Sequence, residues 1–301
     1  MSLVSASDQS RANLFAIGAI IVSQAVFTAN DALMKLAARS LPGGEAIFVR
    51  GLFTVAFASI LTLTLGAWRV WPGSGEWRLI ALRNVGEVAA TLLYLTALFH
   101  MPIAEATAIL QFVPLAMTAG AALFLAEPVG WRRWLATAVG LVGVLVVIRP
   151  GTAAFNGWSL VALASVMAIV LRDLATRRIG RSIPTIWLTL ISSLTVTSAA
   201  ATFSLTEVWR MPSTGELLAI GAAAVFLLAG YYSIIEAMRL GEVAVVAPFR
   251  YSIIVWAILA GLLLFGERPD PIALAGTGIV MAAGLYTFFR ERRLVARRRQ
   301  Q

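Results

Sequence analysis

Cysteine is absent from this 301-residue chain, histidine occurs once, as His100, and only 13% of the residues are charged. An enzyme needs a reactive constellation, and the one histidine lies at a predicted helix end. No acidic or histidine pair has the spacing of a metal site, and neither a phosphate-binding loop nor a nucleophile elbow is present. The sequence therefore predicts no catalytic residue, no metal site and no cofactor. A membrane-embedded enzyme is kept only as the rival hypothesis from a different class.

Apolar residues, in contrast, make up 59% of the chain, and the mean hydropathy is +0.85. In soluble domains about a quarter of all residues are charged, so this composition predicts an integral membrane protein. A helix crosses the hydrocarbon core with roughly 20 apolar residues. Ten such runs occur, at about 13–33, 44–66, 77–99, 103–125, 131–149, 157–176, 184–205, 216–238, 243–265 and 271–289. Because the runs are continuously apolar and do not alternate, they predict helices and not barrel strands.

Lysine and arginine dominate the charged residues and give a formal net charge of +9. Six arginines lie in the segment 290–299, which by itself would also fit a nucleic-acid-binding tail. Cytoplasmic loops of membrane proteins collect the same residues, however. Sixteen lysines and arginines lie on the N-terminal side of the predicted membrane and five on the other side. We therefore expect both termini in the cytoplasm, the lipid bilayer as the surroundings and no nucleic-acid partner.

The two halves of the chain resemble each other in sequence. At an offset of 142 the segment 31–42 lies over 173–184, which aligns Asp31 with Asp173. At offsets of 137 and then 140, Tyr94, Met101, Glu105 and Glu127 lie over Tyr231, Met238, Glu242 and Glu267. Five helices per half is an odd number, so the second half must enter the membrane from the other side. The prediction is an all-α integral membrane fold of ten transmembrane helices in two inverted five-helix repeats, residues 1–150 and 151–301. Repeats of this kind suggest transport through a site near the midplane.

Several motifs resemble those of a known family. A polar first helix that ends in Lys35, followed by Pro42 and Arg50, is similar to the start of an EamA domain of the drug/metabolite transporter superfamily. The stretches 122–151 and 262–286, each with a glutamate turn before a glycine-rich helix, continue the resemblance, which covers the chain as two EamA repeats. It implies export or exchange of small metabolites, commonly amino acids, in the bacterial inner membrane, as in exporters of the aromatic amino acid type. Arg50 aligns with Ser192, so its role is not duplicated.

Polar residues inside the predicted helices are the candidates for a substrate site. A charge in hydrocarbon costs about 2.5–3.5 kcal/mol and is kept where it is paired or wet. At steps of three or four residues these groups share helix faces. The predicted substrate-binding residues are Gln24, Asp31, Lys35, Arg83, Glu87, Tyr94, Gln111, Tyr232, Glu236, Arg250 and Tyr251. In the structural alternative, Asp31 with Lys35 and Arg83 with Glu87 only neutralise each other as i,i+4 pairs.

An amino acid substrate needs a cation for its carboxylate, an acid or aromatic face for its ammonium group and an apolar pocket. The candidates, in that order, are Arg83 or Arg250, Glu87 or Glu236, and Tyr94, Tyr232 and Tyr251. Glu87 and Glu236 are also candidates for proton coupling, because a carboxylate buried in low dielectric takes up a proton more readily. Permanently paired acids in a facilitator or exchanger are the alternative. A multidrug or nucleotide-sugar carrier is the alternative cargo class, and the latter needs a more basic lining.

Proline and glycine predict where helices bend and where they touch. Pro114 and Pro248 fall within the fourth helix of each half, where proline removes a backbone hydrogen bond, and we predict that they act in gating. Gly140 and Gly143, and Gly276 and Gly284, are spaced for close helix packing, within one protomer or in a homodimer.

Overall fold

The computed structural model describes residues 6–125, 129–152, 155–179, 183–240 and 243–298. This part of the chain contains ten helices long and apolar enough to cross a membrane, and no strand. We number them α1 Ala6–Ala37, α2 Gly43–Thr64, α3 Ser74–His100, α4 Ile103–Phe124, α5 Trp131–Ile148, α6 Trp158–Arg178, α7 Thr185–Ser204, α8 Thr214–Leu240, α9 Pro248–Phe265 and α10 Pro271–Arg298. The predicted helices are confirmed, and each overlaps its apolar run.

Proline directly precedes three of these helices, and α9 and α10 begin with a proline. Pro42, Pro102 and Pro184 directly precede α2, α4 and α7. Proline suits a helix start, where a backbone N–H has no partner in the helix and the missing donor costs nothing. Pro42 and Pro184 are the aligned prolines of the two sequence repeats, so a proline precedes the second helix in each half.

The fourth helix of each half is interrupted, as the two internal prolines predict. α4 consists of Ile103–Leu110 and Val113–Phe124, and Pro114 lies in the first turn of the second piece. In the second half, a short helix, Val243–Val246, is followed by a 3₁₀ segment, Ala247–Ser252, which contains Pro248, and the regular part of α9 begins at Ile253. Both breaks have the expected cause, since proline cannot donate the backbone hydrogen bond of a helix interior.

The two halves have opposite orientations in the membrane. Ten crossings bring the start of α1 and the end of α10 to the same side, which we call the terminal face, and the other side is the opposite face. α1 starts at the terminal face, whereas α6 starts at the opposite face after five crossings. The most extensive packing joins α1 to α8, α3 to α6, α2 to α7 and α5 to α10. With five helices per half, α1 corresponds to α6, and α3 corresponds to α8. Replacing each helix by its counterpart turns the α1–α8 pair into the α3–α6 pair, whereas the α2–α7 and α5–α10 pairs each join a helix to its own counterpart.

Glycines allow the closest of these contacts. A Cβ on Gly276 of α10 would lie 2.7 Å from the carbonyl oxygen of Gly143 in α5, so the two backbones touch. A Cβ on Gly86 of α3 would lie 2.8 Å from the backbone nitrogen of Arg172 in α6. Gly284 leaves room for the Tyr251 ring. The predicted close packing by Gly143 and Gly276 is therefore confirmed within the protomer, and the homodimer stays a prediction.

The main hydrophobic core includes a dense cluster on the opposite-face side of the molecule. Ile47, Leu95, Leu98, Ile103 and Ile220 are each at most 2% exposed and lie in the parts of their helices nearest that face. Aliphatic packing at this density leaves little free volume. Any cavity near the middle of the bundle is thus bounded by packed side chains on the opposite-face side.

Candidate substrate cavity

A polar cavity of about 290 Å³ lies between helices of both halves. Five helices contribute its lining: Arg50, Gly51 and Thr54 from α2, Arg83, Glu87 and Thr91 from α3, Arg172, Asp173 and Thr176 from α6, Thr185, Thr189, Ser192, Ser193 and Val196 from α7, and Leu227, Leu228 and Tyr231 from α8. Thr176 and Thr185 lie at the terminal-face ends of their helices, so the cavity extends to that face.

Three arginines line the cavity at increasing depth. At a rise of 1.5 Å per residue, Arg172 lies about 9 Å, Arg83 about 13 Å and Arg50 about 21 Å along their helices from the terminal-face ends. The two carboxylates of the lining, Glu87 and Asp173, lie on the same helices as Arg83 and Arg172. The cavity thus presents both signs of charge near its mouth and a cation at its deep end.

Glu87 connects two of the arginines. One of its carboxylate oxygens lies 3.5 Å from Arg83 Nη2, and the other lies 3.5 Å from Arg172 Nη1. Arg172 also donates from Nε to Asp173 at 2.8 Å. The predicted pair of Arg83 and Glu87 is present, and Arg172 joins it because Gly86 allows α6 to approach α3 at this level. The result is an ion network that bridges the two halves.

A second polar chain runs from Arg50 away from the cavity. Arg50 Nη1 lies 3.5 Å from the side-chain oxygen of Asn30, and Asn30 donates to Asp31 at 2.8 Å. The other oxygen of Asp31 accepts from the Tyr94 hydroxyl at 2.7 Å. Asp31 and Tyr94 are therefore behind the cavity wall and not in it. The neutralising pair of Asp31 with Lys35, which helical spacing allowed, is absent from the ion pairs of the described residues because each group has a partner on another helix.

Lys35 lies at the opposite face, where it joins the two halves. Its ammonium group donates to Glu267 and to the carbonyl oxygen of Met101, both at 2.6 Å. The other carboxylate oxygen of Glu267 accepts from the backbone nitrogen of Ile103 at 2.9 Å, which caps the start of α4. Glu267 therefore binds both Lys35 and the start of α4, whereas Lys35, a predicted substrate-binding residue, is too far along α1 to reach the cavity lining.

Other polar contacts between the halves lie at the same face. Arg149, at the end of α5, pairs with Asp270, which caps α10 through the amides of Ile272 and Ala273 at 2.8 and 3.1 Å. The Arg149 guanidinium and these amides lower the pKa of the Asp270 carboxyl group. Glu207 accepts from the backbone amides of Gly44 and Glu45, in the first turn of α2, at 2.9 and 3.0 Å. The structure is therefore closed at the opposite face and accessible from the terminal face.

Comparison with known proteins agrees with this architecture. The model of the EamA-like transporter family matches the chain twice, over residues 14–149 and 156–289. The chain belongs to the EamA-like transporter family. The resemblance seen in the sequence motifs is thus confirmed, and the chain is a multi-pass transporter of the drug/metabolite transporter superfamily.

Relatives of this EamA protein carry different substrates. The S-adenosylmethionine uptake transporter of Rickettsia felis is 25% identical over 98% of this chain and 99% of its own length. The riboflavin transporter of Vibrio cholerae is 30% identical over 66% of this chain and 67% of its own, and the pseudopaline exporter of Pseudomonas aeruginosa is 24% identical over 87% and 92%. A protein of known crystal structure matches at a TM-score of 0.63 and 20% identity, over 95% of this chain and 99% of that chain, which supports the fold alone.

Within this EamA fold the predicted site residues separate into groups. Arg83 and Glu87 line the cavity, and Asp31 and Tyr94 lie behind Arg50. Five others do not line it: Gln24 is buried, Gln111 bonds to Thr107 at the α4 break, Tyr232 is 68% exposed, Arg250 is exposed and Tyr251 packs on Gly284. The Glu236 side chain lies outside the described residues. Arg50, Arg172, Asp173 and Tyr231 are cavity residues that the list of candidates omitted.

Glu87→Gln tests the ion network of this EamA protein. The substitution leaves Arg83 and Arg172 without their shared carboxylate, and we expect the free energy of unfolding to fall by about 1–3 kcal/mol. Glu76→Gln is the matched control, because Glu76 lies on the same helix outside the cavity and its capping contact to the Gly73 amide is one that glutamine keeps. Thermal unfolding in detergent measures both variants. Equal midpoints for the two would contradict the network.

Proposed function

We propose that the protein exports amino acids or related small metabolites by alternating access between its inverted halves, residues 1–150 and 151–301. The observation that carries the proposal is the cavity itself, which is polar, lies between the halves and is closed at one face only. Inverted repeats that rock about such a site expose it to each side in turn. The polar contacts across the opposite face are the ones that this movement must break.

The charges of the lining support a zwitterionic cargo. A carboxylate can bind to an arginine and an ammonium group to Glu87 or Asp173, while Tyr231 offers an aromatic face for a side chain. A volume of about 290 Å³ is at the lower end for small-molecule sites. The similarity to an S-adenosylmethionine transporter is consistent with this chemistry, since that compound contains a methionine moiety with both groups.

The charge distribution supports an orientation of the protein. With sixteen basic residues on the terminal side against five, we propose that both termini lie in the cytoplasm. Because the relatives are bacterial transporters, we propose the bacterial inner membrane as the location. The cavity then faces the cytoplasm, which suits loading for export.

Glu87 is held between two arginines, and this supports exchange or facilitated transport over proton coupling through that group.

A nucleotide-sugar or multidrug carrier is the second candidate, because the cavity lining contains three arginines and two carboxylates and is therefore basic on balance. A membrane-embedded enzyme is the rival of a different class. It predicts product formation in detergent, where a carrier has no two compartments to connect.

Counterflow in proteoliposomes tests the function. Vesicles are loaded with unlabelled threonine, methionine, phenylalanine or S-adenosylmethionine, and the same labelled compound is added outside without an ion gradient. We expect transient accumulation of at least one label, with protein-free liposomes as the control. If folded protein moves none of these compounds but moves a nucleotide sugar, the second candidate replaces the first.

A further inference from the structure

Arg50 differs from the other two arginines of the cavity. Arg83 and Arg172 each lie within 3.5 Å of a Glu87 oxygen, whereas no carboxylate forms a salt bridge with Arg50 among the described residues. Within the described part of the chain its one hydrogen bond is the 3.5 Å contact from Nη1 to Asn30, which links it only indirectly to Asp31, and its buried Nε atom has no partner there. The residue is only 7% exposed. An ionised group buried in this way costs free energy unless something pairs with it.

The position of Arg50 makes it part of the cavity and holds it in place. It lines the cavity at the deep end, about 21 Å along α2 from the terminal-face end. The next residue, Gly51, packs so closely on α7 that a Cβ there would lie 2.3 Å from the Thr197 hydroxyl oxygen. The α2 backbone at Arg50 is therefore fixed against α7, which gives the guanidinium a rigid support.

We propose that Arg50 is the anchor for a carboxylate of the cargo at the deep end of the cavity. This inference rests on the proposed function and names the substrate class: small zwitterions with a free carboxylate. The guanidinium forms paired hydrogen bonds with a carboxylate, and the unused Nε lies on one of its bidentate edges. Arg83 also has a buried Nε without a partner, but its Nη2 and the Nη1 of Arg172 contact Glu87, so among the described residues Arg50 is the lining arginine with no carboxylate in salt-bridge contact.

The charge of the lining favours a monoanionic group over a phosphate. Three arginines, Arg50, Arg83 and Arg172, face two carboxylates, Glu87 and Asp173, so the lining has a net charge of +1. Glu87 and Asp173 are already engaged with Arg83 and Arg172, so the unmatched positive charge is that of Arg50. A carboxylate group supplies the one negative charge that Arg50 lacks, whereas a phosphate dianion carries two and would be repelled by both acids. An ammonium group on the same cargo finds those acids on the mouth side of Arg50, so the cargo binds with its carboxylate inward.

The repeat gives independent support for a single anchor. The residue aligned with Arg50 in the second half is Ser192, which also lines the cavity. Its hydroxyl donates to Asn84 at 2.7 Å and contacts Arg83, so it is already used by neighbouring groups. The site therefore has one cationic end and no symmetric copy of it, which fixes the direction of an asymmetric cargo.

Ligand binding to purified protein tests the anchor without requiring transport. The probes are L-methionine, L-phenylalanine and S-adenosylmethionine, each compared with its carboxamide, and binding is measured by thermal-shift titration and calorimetry in detergent. We expect the wild type to bind the acids about 10- to 100-fold more tightly than the amides. Arg50→Gln should lose this preference, and Arg50→Lys, which keeps the charge but not the paired bonds, should retain part of it.

Arg69→Gln is the matched control, because it removes the same charge from an exposed residue in the loop after α2. The anchor is overturned if Arg50→Gln, with an unfolding midpoint that shows it is folded, keeps the preference for acids. It is also overturned if the wild type binds no carboxylate of the panel, or binds acids and amides alike. Selective binding of acids without counterflow would support the Arg50 anchor and contradict the proposed carrier function. Counterflow of acids and amides alike would support the carrier function and contradict the anchor.

Discussion

Gly276→Val is expected to prevent α10 from packing on α5 and to lower the stability of the protein. A Cβ at Gly276 would lie 2.7 Å from the Gly143 carbonyl oxygen and 3.0 Å from the Val147 backbone nitrogen. These are backbone atoms, which cannot rotate away as a side-chain end would. Overpacking of a well-packed site typically costs about 1–3 kcal/mol, and occasionally more, so a valine here is expected to reach the upper end of this range.

The same helix provides a matched control. Gly278→Val makes the identical change two residues later, where a Cβ would meet nothing within 4 Å. Both variants lose a glycine in a helix interior, so the gain in helix propensity is the same for both. Thermal unfolding and size-exclusion chromatography in detergent should show a clear loss for Gly276→Val and a near-wild-type profile for Gly278→Val. Similar midpoints for the two would mean that α5 and α10 do not touch at Gly143.

Much of this fold could be predicted from the sequence because the bilayer reduces the choices. A chain with ten continuous apolar runs has to satisfy its backbone inside each run, and helices do so. The inverted arrangement follows from the repeat and from the odd number of helices per half. The breaks at Pro114 and Pro248 follow from the missing proline N–H.

The site could be predicted only in part, because helical spacing shows which residues share a face but not what that face meets. Asp31 and Lys35 share a stripe on α1, yet Tyr94 holds the first and Glu267 the second, on different helices and at different depths. Tyr232 is 68% exposed, whereas the neighbouring Tyr231 lines the cavity. A shift of one residue rotates a side chain by about 100° around a helix, and helical spacing alone does not tell which of the two directions faces the cavity.

Arg172 shows why charge counting misses a cavity residue. Near the end of α6, it is counted with the loop cations that set orientation, yet it lies beside Glu87 in the cavity. A usable signal was present in the repeat, because Asp173 aligns with Asp31 and Tyr231 with Tyr94. Both aligned partners of these candidates line the cavity. Extending every candidate to its counterpart in the other half would have found them.

Removal of the ion pair between Lys35 and Glu267 is expected to open the opposite face. The two side chains are only 10% and 20% exposed, and they connect α1 of the first half to the end of α9 in the second. Removing one partner of a buried pair leaves the other charge unpaired, which typically costs about 3–5 kcal/mol. We expect the pair to form only while that face is closed, so most of this cost should fall on the closed state. Lys35→Ala and Glu267→Ala should therefore both shift the population toward an open opposite face.

The absence of native cysteine makes this shift measurable with a single label. Ala97 lies at 0% exposure near the opposite-face end of α3, so Ala97→Cys should react slowly with a polar maleimide in an otherwise unchanged chain. With Lys35→Ala or Glu267→Ala added, we expect the labelling rate to rise by about tenfold or more. The double variant should add little to either single one, since both remove the same contact.

Arg39→Ala is the control for the labelling experiment, because Arg39 stacks on the same Phe265 ring as Lys35, with centroid distances of 4.8 and 5.0 Å. A general loosening around Phe265 would raise the labelling rate in all of these variants. A response limited to Lys35→Ala and Glu267→Ala would assign the closure to the ion pair. If neither variant labels faster, the ion pair is not what closes the face, and the contacts of Arg149 and Glu207 are sufficient. In that case, combining Glu207→Ala with Lys35→Ala should raise the labelling rate of Ala97→Cys.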